Sequence, residues 1–487
     1  MSSNKLGNKA FRAVIWSALD RIFLTFFVFT VGIILARLLS PREFGLIGIV
    51  TFFIATSSQL IDGGFTQAII RKDNATHTDY STIFFFNIII ALFLYFILYL
   101  LAEDISIFFG ESDLNLIIKY LGLILIFHSL GIVQQAKLTR KIDFKSQMKV
   151  SIFSSTFSGF LGLYLAYNGH GIWSLVWMQL SNRILITLLL WMIIRWIPSI
   201  QFSFKSFNQM FSFGYKMMLS SLIYSINRNF HLFIIGKYMS PTELGYYTRA
   251  EKFNQAPSEG LSAVIERVSY PTLSSIKDDS SKLSSAYKRI IKSSMFVTFP
   301  LMITLAFISD NLILTLIGSQ WTPAIPYLQL LCFLGMLVPL HVSNLNLLKV
   351  VGRSDLFLKL EILKAFLSLP AFAVCLYVGV QEFIIAMIIT SFLVFFLNSH
   401  LSGKYIEYSS FNQLYDLLPM FLVSILVGFS AFMSGNLLES NFNLEVQAVL
   451  LIQVVLVFIL YLLINEILRF DDYLFIKRKI KQLLSNE

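Results

Sequence analysis

Four cations sit where a chain exposed to hydrocarbon would not place them. Arg183, Arg228, Arg249 and Lys252 each fall inside a long apolar stretch, and a cation at the centre of a membrane helix costs about 2.5–3.5 kcal/mol on insertion scales. Such a group has to face water, a counter-ion or an anionic ligand, so the chemistry it offers is anion binding. Arg183 lies about 12 residues into its stretch, near 18 Å from one end at the rise of an α-helix. Arg228, flanked by Asn227 and Asn229, is similarly deep. Arg249, Lys252, Glu259 and Glu266 are spaced 3, 7 and 7 apart, which puts all four on one helical face. Asp62, just before Gly63-Gly64, and Glu259 are the acids suited to a coupling proton or cation, the glycines being able to break the helix there. The alternative for each is plain neutralisation: the stripe's cations pair with its acids or with Glu251, and Asp62 caps a kink. His128 and His231 are read as packing or proton-relay histidines. Arg21 beside Asp20, and Lys119, are read as anchors of their helices near the membrane surface, with snorkelling to phosphates as the alternative.

Composition says what surrounds these groups. Of 487 residues, 56% are hydrophobic and 14% charged, outside the balance of a soluble domain. Apolar runs long enough to cross a bilayer recur from Val14 to Glu466, predicting about fourteen transmembrane helices with little between them. The first of these is read as a retained span, since no small-residue cleavage site follows it. Cys332 and Cys375 lie within apolar runs and are assigned to packing. Trp173, Trp321 and Tyr327, near span ends, predict an interfacial aromatic belt. Pro257 and Pro300 are expected to kink their helices.

The net charge of +10 does not point to nucleic acid, because it is unevenly distributed. With a cytoplasmic N-terminus, the inner segments collect Arg71, Lys72, Lys137, Arg140, Lys141, Lys145, Lys149, Arg195, Lys205, the cluster Lys277–Lys292, Lys349, Arg353, Lys359, Lys404 and the tail Arg469, Lys477, Arg478, Lys479 and Lys481. The outer segments hold only Arg37, Arg42 and Lys237. This bias places both termini in the cytoplasm.

One phrase occurs twice. RLLSPREFG starts at Arg37 and KYMSPTELG at Lys237, 200 residues later. Six spans separate them, so both phrases fall on the outer face and the two six-helix units run in the same sense, as in transporters built from parallel repeats. The predicted architecture is all-α and two-lobed: residues 1–200, residues 201–404, and a peripheral pair of spans with a basic tail in 405–487. Locally, Ser40-Pro41 and Ser240-Pro241 start helices, Glu43 and Glu243 stabilise their positive ends, and Gly45 and Gly245 permit close packing. An offset of 200 pairs Lys252 with Phe52 and Glu259 with Gln59, so the second lobe carries the charged stripe.

ILARLLSPREFGLIGI, IDGGFTQAIIRK, TDYSTIFFFN, AKLTRKIDFKSQ, IIGKYMSPTELGYYTRA, RVSYPTLS and VVGRSDLFLKLEILK resemble the oligosaccharide flippases of the MOP exporter superfamily, in particular the branch of colanic-acid and teichuronic-acid exporters and related lipopolysaccharide biosynthesis proteins. That resemblance implies a MATE-like fold in the bacterial inner membrane. It implies movement of a polyprenyl-pyrophosphate-linked oligosaccharide to the outer leaflet for surface polysaccharide such as O-antigen or exopolysaccharide. The implied partners are that lipid-linked oligosaccharide, membrane lipids and polysaccharide polymerase machinery. The pyrophosphate would bind Arg183, Arg228, Arg249 and Lys252, with Asp62 and Glu259 in coupling or gating.

No HExxH, paired CxxC, GxSxG or P-loop pattern occurs, so neither a cofactor, a metal centre nor an ATPase site is expected. An anion moved outward runs down the membrane potential, worth about 2.3 kcal/mol per charge per 100 mV. Three rival readings stay open: a drug antiporter of the same superfamily, which calls for an acidic cavity; a polytopic glycan polymerase or ligase; and a membrane scaffold. The polymerase needs an outer-face site, yet the longest outer loop, near Asp310–Pro323, has one carboxylate.

Overall fold

The structure, a computed structural model, describes residues 3–72, 74–442, 444–470, 472–474, 477, 478 and 482. Lys479 and Lys481 of the basic tail lie outside the described residues. Among the described residues every regular element is helical. Its helices are α1 Ser3–Leu38, α2 Pro41–Asp62, α3 Phe65–Arg71, α4 His77–Phe109, α5 Asp113–Arg140, α6 Phe144–Tyr167, α7 Ile172–Ile194, α8 Phe204–Ile234, α9 Pro241–Ser274, α10 Ser280–Phe307, α11 Ser309–Leu316, α12 Ile325–Val350, α13 Ser354–Tyr377, α14 Val380–Gly403, α15 Ser410–Phe442 and α16 Val446–Leu468. The backbone forms two compact units, residues 1–245 and 246–487.

Among the described residues, 12 helical segments are long and apolar enough to cross a membrane, so this is a multi-pass membrane protein. The expected count of about fourteen is not reached on that criterion. α8 and α9, of 31 and 34 residues, are long enough to span and fall outside the set of 12. α9 carries Glu243, Arg249, Glu251, Lys252, Glu259, Glu266 and Arg267, which lower its hydropathy.

Both copies of the repeated phrase start a helix, as their residues dictate. Pro41 opens α2 behind Ser40, whose backbone N–H and hydroxyl both donate to Glu43 Oε2, at 2.7 and 2.9 Å. Pro241 opens α9 behind Ser240, whose Oγ accepts from the Glu243 N–H at 3.0 Å. These caps satisfy amides that the first helical turn leaves unpaired. The two first turns also touch each other. A Cβ built on Gly45 would overlap the Pro241 carbonyl, and one on Gly245 the Pro41 carbonyl.

At its other end α2 stops at Asp62, where Gly63 and Gly64 take φ of 55° and 67°, a left-handed geometry glycine adopts at no steric cost. The chain then resumes as α3. Gly64 packs on α8, where an added Cβ would come within 2.8 Å of the Met217 Cβ. Between these contacts a Phe cluster from α2, α4 and α8 fills the space, with Phe52–Phe233 and Phe109–Phe233 centroids 5.3 and 5.5 Å apart.

The aromatic belt needs a correction. Trp321 is 0% exposed in a 3₁₀ turn, Ser319–Ala324, edge-on to Tyr246 at 6.0 Å, and Tyr327 is buried too. An indole is apolar enough to serve as core, and here tertiary packing claims it. Trp173, edge-on to Tyr120 at 5.2 Å, is half-buried. Cys332 and Cys375 are free and buried, in keeping with packing roles.

The turns α5–α6 and α12–α13 share one hydrogen-bond pattern. Ile142 N–H donates to Thr139 O at 3.0 Å and Asp143 N–H to Leu138 O at 3.0 Å; Gly352 N–H donates to Lys349 O at 3.2 Å and Arg353 N–H to Leu348 O at 2.9 Å. Gly352 sits comfortably at φ 77°, but Ile142 is held at φ 56°, where a β-branched side chain crowds the backbone. Ile142→Gly is therefore expected to stabilise the protein by about 0.5–1 kcal/mol, the strain relieved less the entropy glycine adds to the unfolded chain. Thermal unfolding in detergent checks this, and a lowered midpoint would contradict the strain argument.

Candidate functional site

Arg183 occupies the twelfth of the 23 residues of α7, about 16 Å from either end at 1.5 Å per residue. Its side chain is half-buried, and its Nη2 donates to Nδ1 of His128 on α5. Among the described residues no carboxylate stands within ion-pair distance of Arg183. The cation is held by an imidazole, which adds no negative charge to cancel it.

Neighbouring side chains of α7 tie the helix down on both sides. Thr187 Oγ1 donates to the Phe127 carbonyl at 2.7 Å, and Trp191 Nε1 to the Leu130 carbonyl at 2.9 Å. With Arg183 these form three rungs at i, i+4 and i+8, all reaching α5. On the α6 side, the Asn182 amide donates to Ser155 Oγ at 3.3 Å and Ser158 Oγ at 3.2 Å. In hydrocarbon, where neighbouring helices gain nothing from the hydrophobic effect, such bonds and close packing hold them together.

Arg228, exposed on α8, donates to the Tyr224 hydroxyl one turn back at 3.0 Å. Arg183 and Arg228 both belong to the first unit and are engaged by these different partners. Asp62, in the same unit, is half-buried at the last turn of α2 and accepts from Thr66 Oγ1 across the glycine break. In the second unit Arg249 and Glu259 are half-buried on α9, while Lys252 is exposed and donates to Gln255 Oε1 at 3.2 Å. Glu266, last in the stripe, forms an ion pair with Lys349 of α12 at 3.6 Å. Lys119 lies over the Tyr99 ring at 4.8 Å, and Asp20 accepts from Ser151 of α6.

The segment expected as the longest outer loop is folded instead into α11 and the 3₁₀ turn. Burial raises the Asp310 carboxyl above the ordinary carboxylate range, and Glu439 adds to the rise. In the sequence His128 stands as a separate histidine, and nothing there shows that it holds Arg183. The available signal was the four-residue spacing of Arg183, Thr187 and Trp191, which marks one polar face on an otherwise apolar helix.

A helical membrane fold with a repeated helix start and a deep, uncompensated cation defines a polytopic transporter-like protein. The family model described as "Polysaccharide biosynthesis protein" matches residues 34–326, and the chain belongs to that family. Among curated proteins it is 29% identical over 307 residues to the teichuronic acid biosynthesis protein TuaB of Bacillus subtilis (strain 168), a match covering 61% of this chain and 62% of that one. It is 26% identical over 438 residues to the lipopolysaccharide biosynthesis protein WzxC of Escherichia coli (strain K12), covering 87% and 88%. Among solved structures, the lipid II flippase MurJ in an inward-closed conformation superposes with a TM-score of 0.74 at 16% identity, covering 93% of this chain and 98% of that one. That last likeness is one of fold.

Proposed function

We propose that the protein is a flippase. It carries a polyprenyl-pyrophosphate-linked oligosaccharide from the cytoplasmic to the outer leaflet of the bacterial inner membrane by alternating access, for surface polysaccharide biosynthesis. Both termini lie in the cytoplasm. One repeat lobe is residues 1–200, the second 201–404, and 405–487 is a peripheral addition. The observation that carries the reading is Arg183, a permanent positive charge at mid-helix whose partner is an imidazole. A cation kept only for structure would be neutralised, since an unpaired charge in hydrocarbon is costly. An anionic ligand can supply the missing counter-charge. Arg228, Arg249 and Lys252 are the further candidates for contact with the head group, while Asp62 and Glu259 are the candidates for coupling. The prenyl tail stays in lipid throughout, so only the head needs a polar path. The exported unit is then available to polymerase machinery at the outer face.

The test is to remove the gene and ask which leaflet holds the lipid-linked sugar. Spheroplasts are treated from outside with a glycan-cleaving enzyme. Release is expected from cells that make the protein and only from lysed preparations of cells that lack it. Equal release from both kinds of intact cell would sink the reading. Accumulation of single repeat units on the outer leaflet would favour a polymerase or ligase.

A further inference from the structure

We propose that His128 is a positioning residue for the anion site: it aims the Arg183 guanidinium while leaving its charge intact. This rests on the reading of Arg183 as a ligand for substrate, and the experiment below separates the two.

A guanidinium carries five N–H donors and no acceptor, so anything that orients it must accept a hydrogen bond. A carboxylate accepts most strongly, but it would cancel the charge and compete with an anionic ligand for the same donors. A hydroxyl would accept weakly. An unprotonated imidazole nitrogen is a good acceptor without net charge, and this is what stands opposite Arg183 Nη2. For His128 Nδ1 to accept, its ring proton must sit on Nε2, so the ring is neutral in this arrangement. Arg183 engages His128 through one Nη nitrogen, and its fork presents further donors.

The surroundings show why a dedicated partner is needed. Helix α7 is fixed to α5 by Thr187 and Trp191 and to α6 by Asn182. Those bonds set the backbone, but Arg183 projects on a long side chain with several rotatable bonds, and ordering it costs rotamer freedom. His128 meets that cost before substrate arrives, which is preorganisation. Because the other rungs hold the helices without it, changing His128 is expected to leave the fold standing.

The experiment compares three replacements in cells that depend on this protein, scoring surface glycan against the amount of protein in the membrane. His128→Asn keeps an acceptor near the position of Nδ1 without charge. His128→Asp keeps an acceptor of the same size and adds a negative charge. His128→Phe keeps a ring and removes the acceptor. Near-normal export is expected from the Asn variant. The Asp and Phe variants should each lose roughly tenfold or more, the worth of one charge-assisted hydrogen bond. An inactive Asn variant at normal membrane level would overturn the proposal in favour of a proton-carrying His128. An active Asp variant would overturn it as well, because charge on the partner would then not matter. If the Phe variant fails to accumulate, the Asn and Asp pair, equal in size, still decides. Arg183→Gln is run alongside. If it is defective while His128→Phe is normal, the positioning role fails and the Arg183 reading survives; if Arg183→Gln is itself normal, the reading of the site falls.

Discussion

Arg183→Ala is expected to abolish surface glycan, a fall of tenfold or more for loss of a charged hydrogen-bonding group, while the protein remains in the membrane and melts no lower than before. The second half of that expectation makes the first informative. Removing a half-buried cation that has no carboxylate partner among the described residues relieves an electrostatic cost, which offsets the loss of one of the three rungs to α5, so stability should hold. Activity lost while stability is kept is the pattern of a residue retained for function against its structural interest. Arg183→Lys should fall between, because an ammonium keeps the charge but not the planar fork. Arg228→Ala should likewise lose export at normal membrane level. Glycan yield, membrane abundance and the thermal midpoint in detergent are the three readings. Normal export in both alanine variants would remove these arginines from the site, and lost export together with a lowered midpoint in Arg183→Ala would make that residue structural.

Much of the fold was readable because its signals are local. Ser40 with Glu43, and Ser240 with Pro241, specify helix starts within four residues, and the structure contains both. Gly63-Gly64 could break the helix, and α2 does end there, because two left-handed residues in succession favour glycine. Facing was harder to read. In a soluble protein, apolar means inside; in a membrane protein lipid and core are equally apolar, so hydropathy cannot say which neighbour a side chain meets. Trp321 shows the consequence, since its place near a span end fitted a belt and it is nevertheless sealed in the core. The Arg183–His128 contact joins residues 55 apart in sequence, and only the packing of α5 on α7 decides it. Among the described residues the count of apolar spans stops at 12 for a related reason. α8 and α9 are the helices that carry the candidate cations Arg228, Arg249 and Lys252, and the polar residues that make them candidates also lower the signal that identifies a span.

Substituting Gly45 or Gly245 with leucine is expected to be the most disruptive single change outside the anion site. Each glycine lies where the other copy of the phrase brings a proline carbonyl against it, so an added Cβ meets backbone on both sides of the contact. A flexible side chain could swing away, but a carbonyl at the first turn of a capped helix cannot move without its helix. The overlap must therefore be relieved by separating α2 from the start of α9. Nearby bonds resist that separation. Arg42, on α2, pairs with Glu111 and, at 3.1 Å, with Asp113; Lys237, just before α9, donates to the Phe108 carbonyl and covers the Phe108 ring at 4.2 Å. Overpacking of a rigid contact costs about 1–3 kcal/mol, and the leucine variants should show lower membrane abundance with a thermal midpoint several degrees down. The double replacement sharpens the test. Two changes at one contact share one displacement, so Gly45→Ala with Gly245→Ala should cost clearly less than the sum of the two single changes. Strict additivity would mean that the two glycines act in separate places, and the reciprocal contact between the repeated phrases would have to be abandoned.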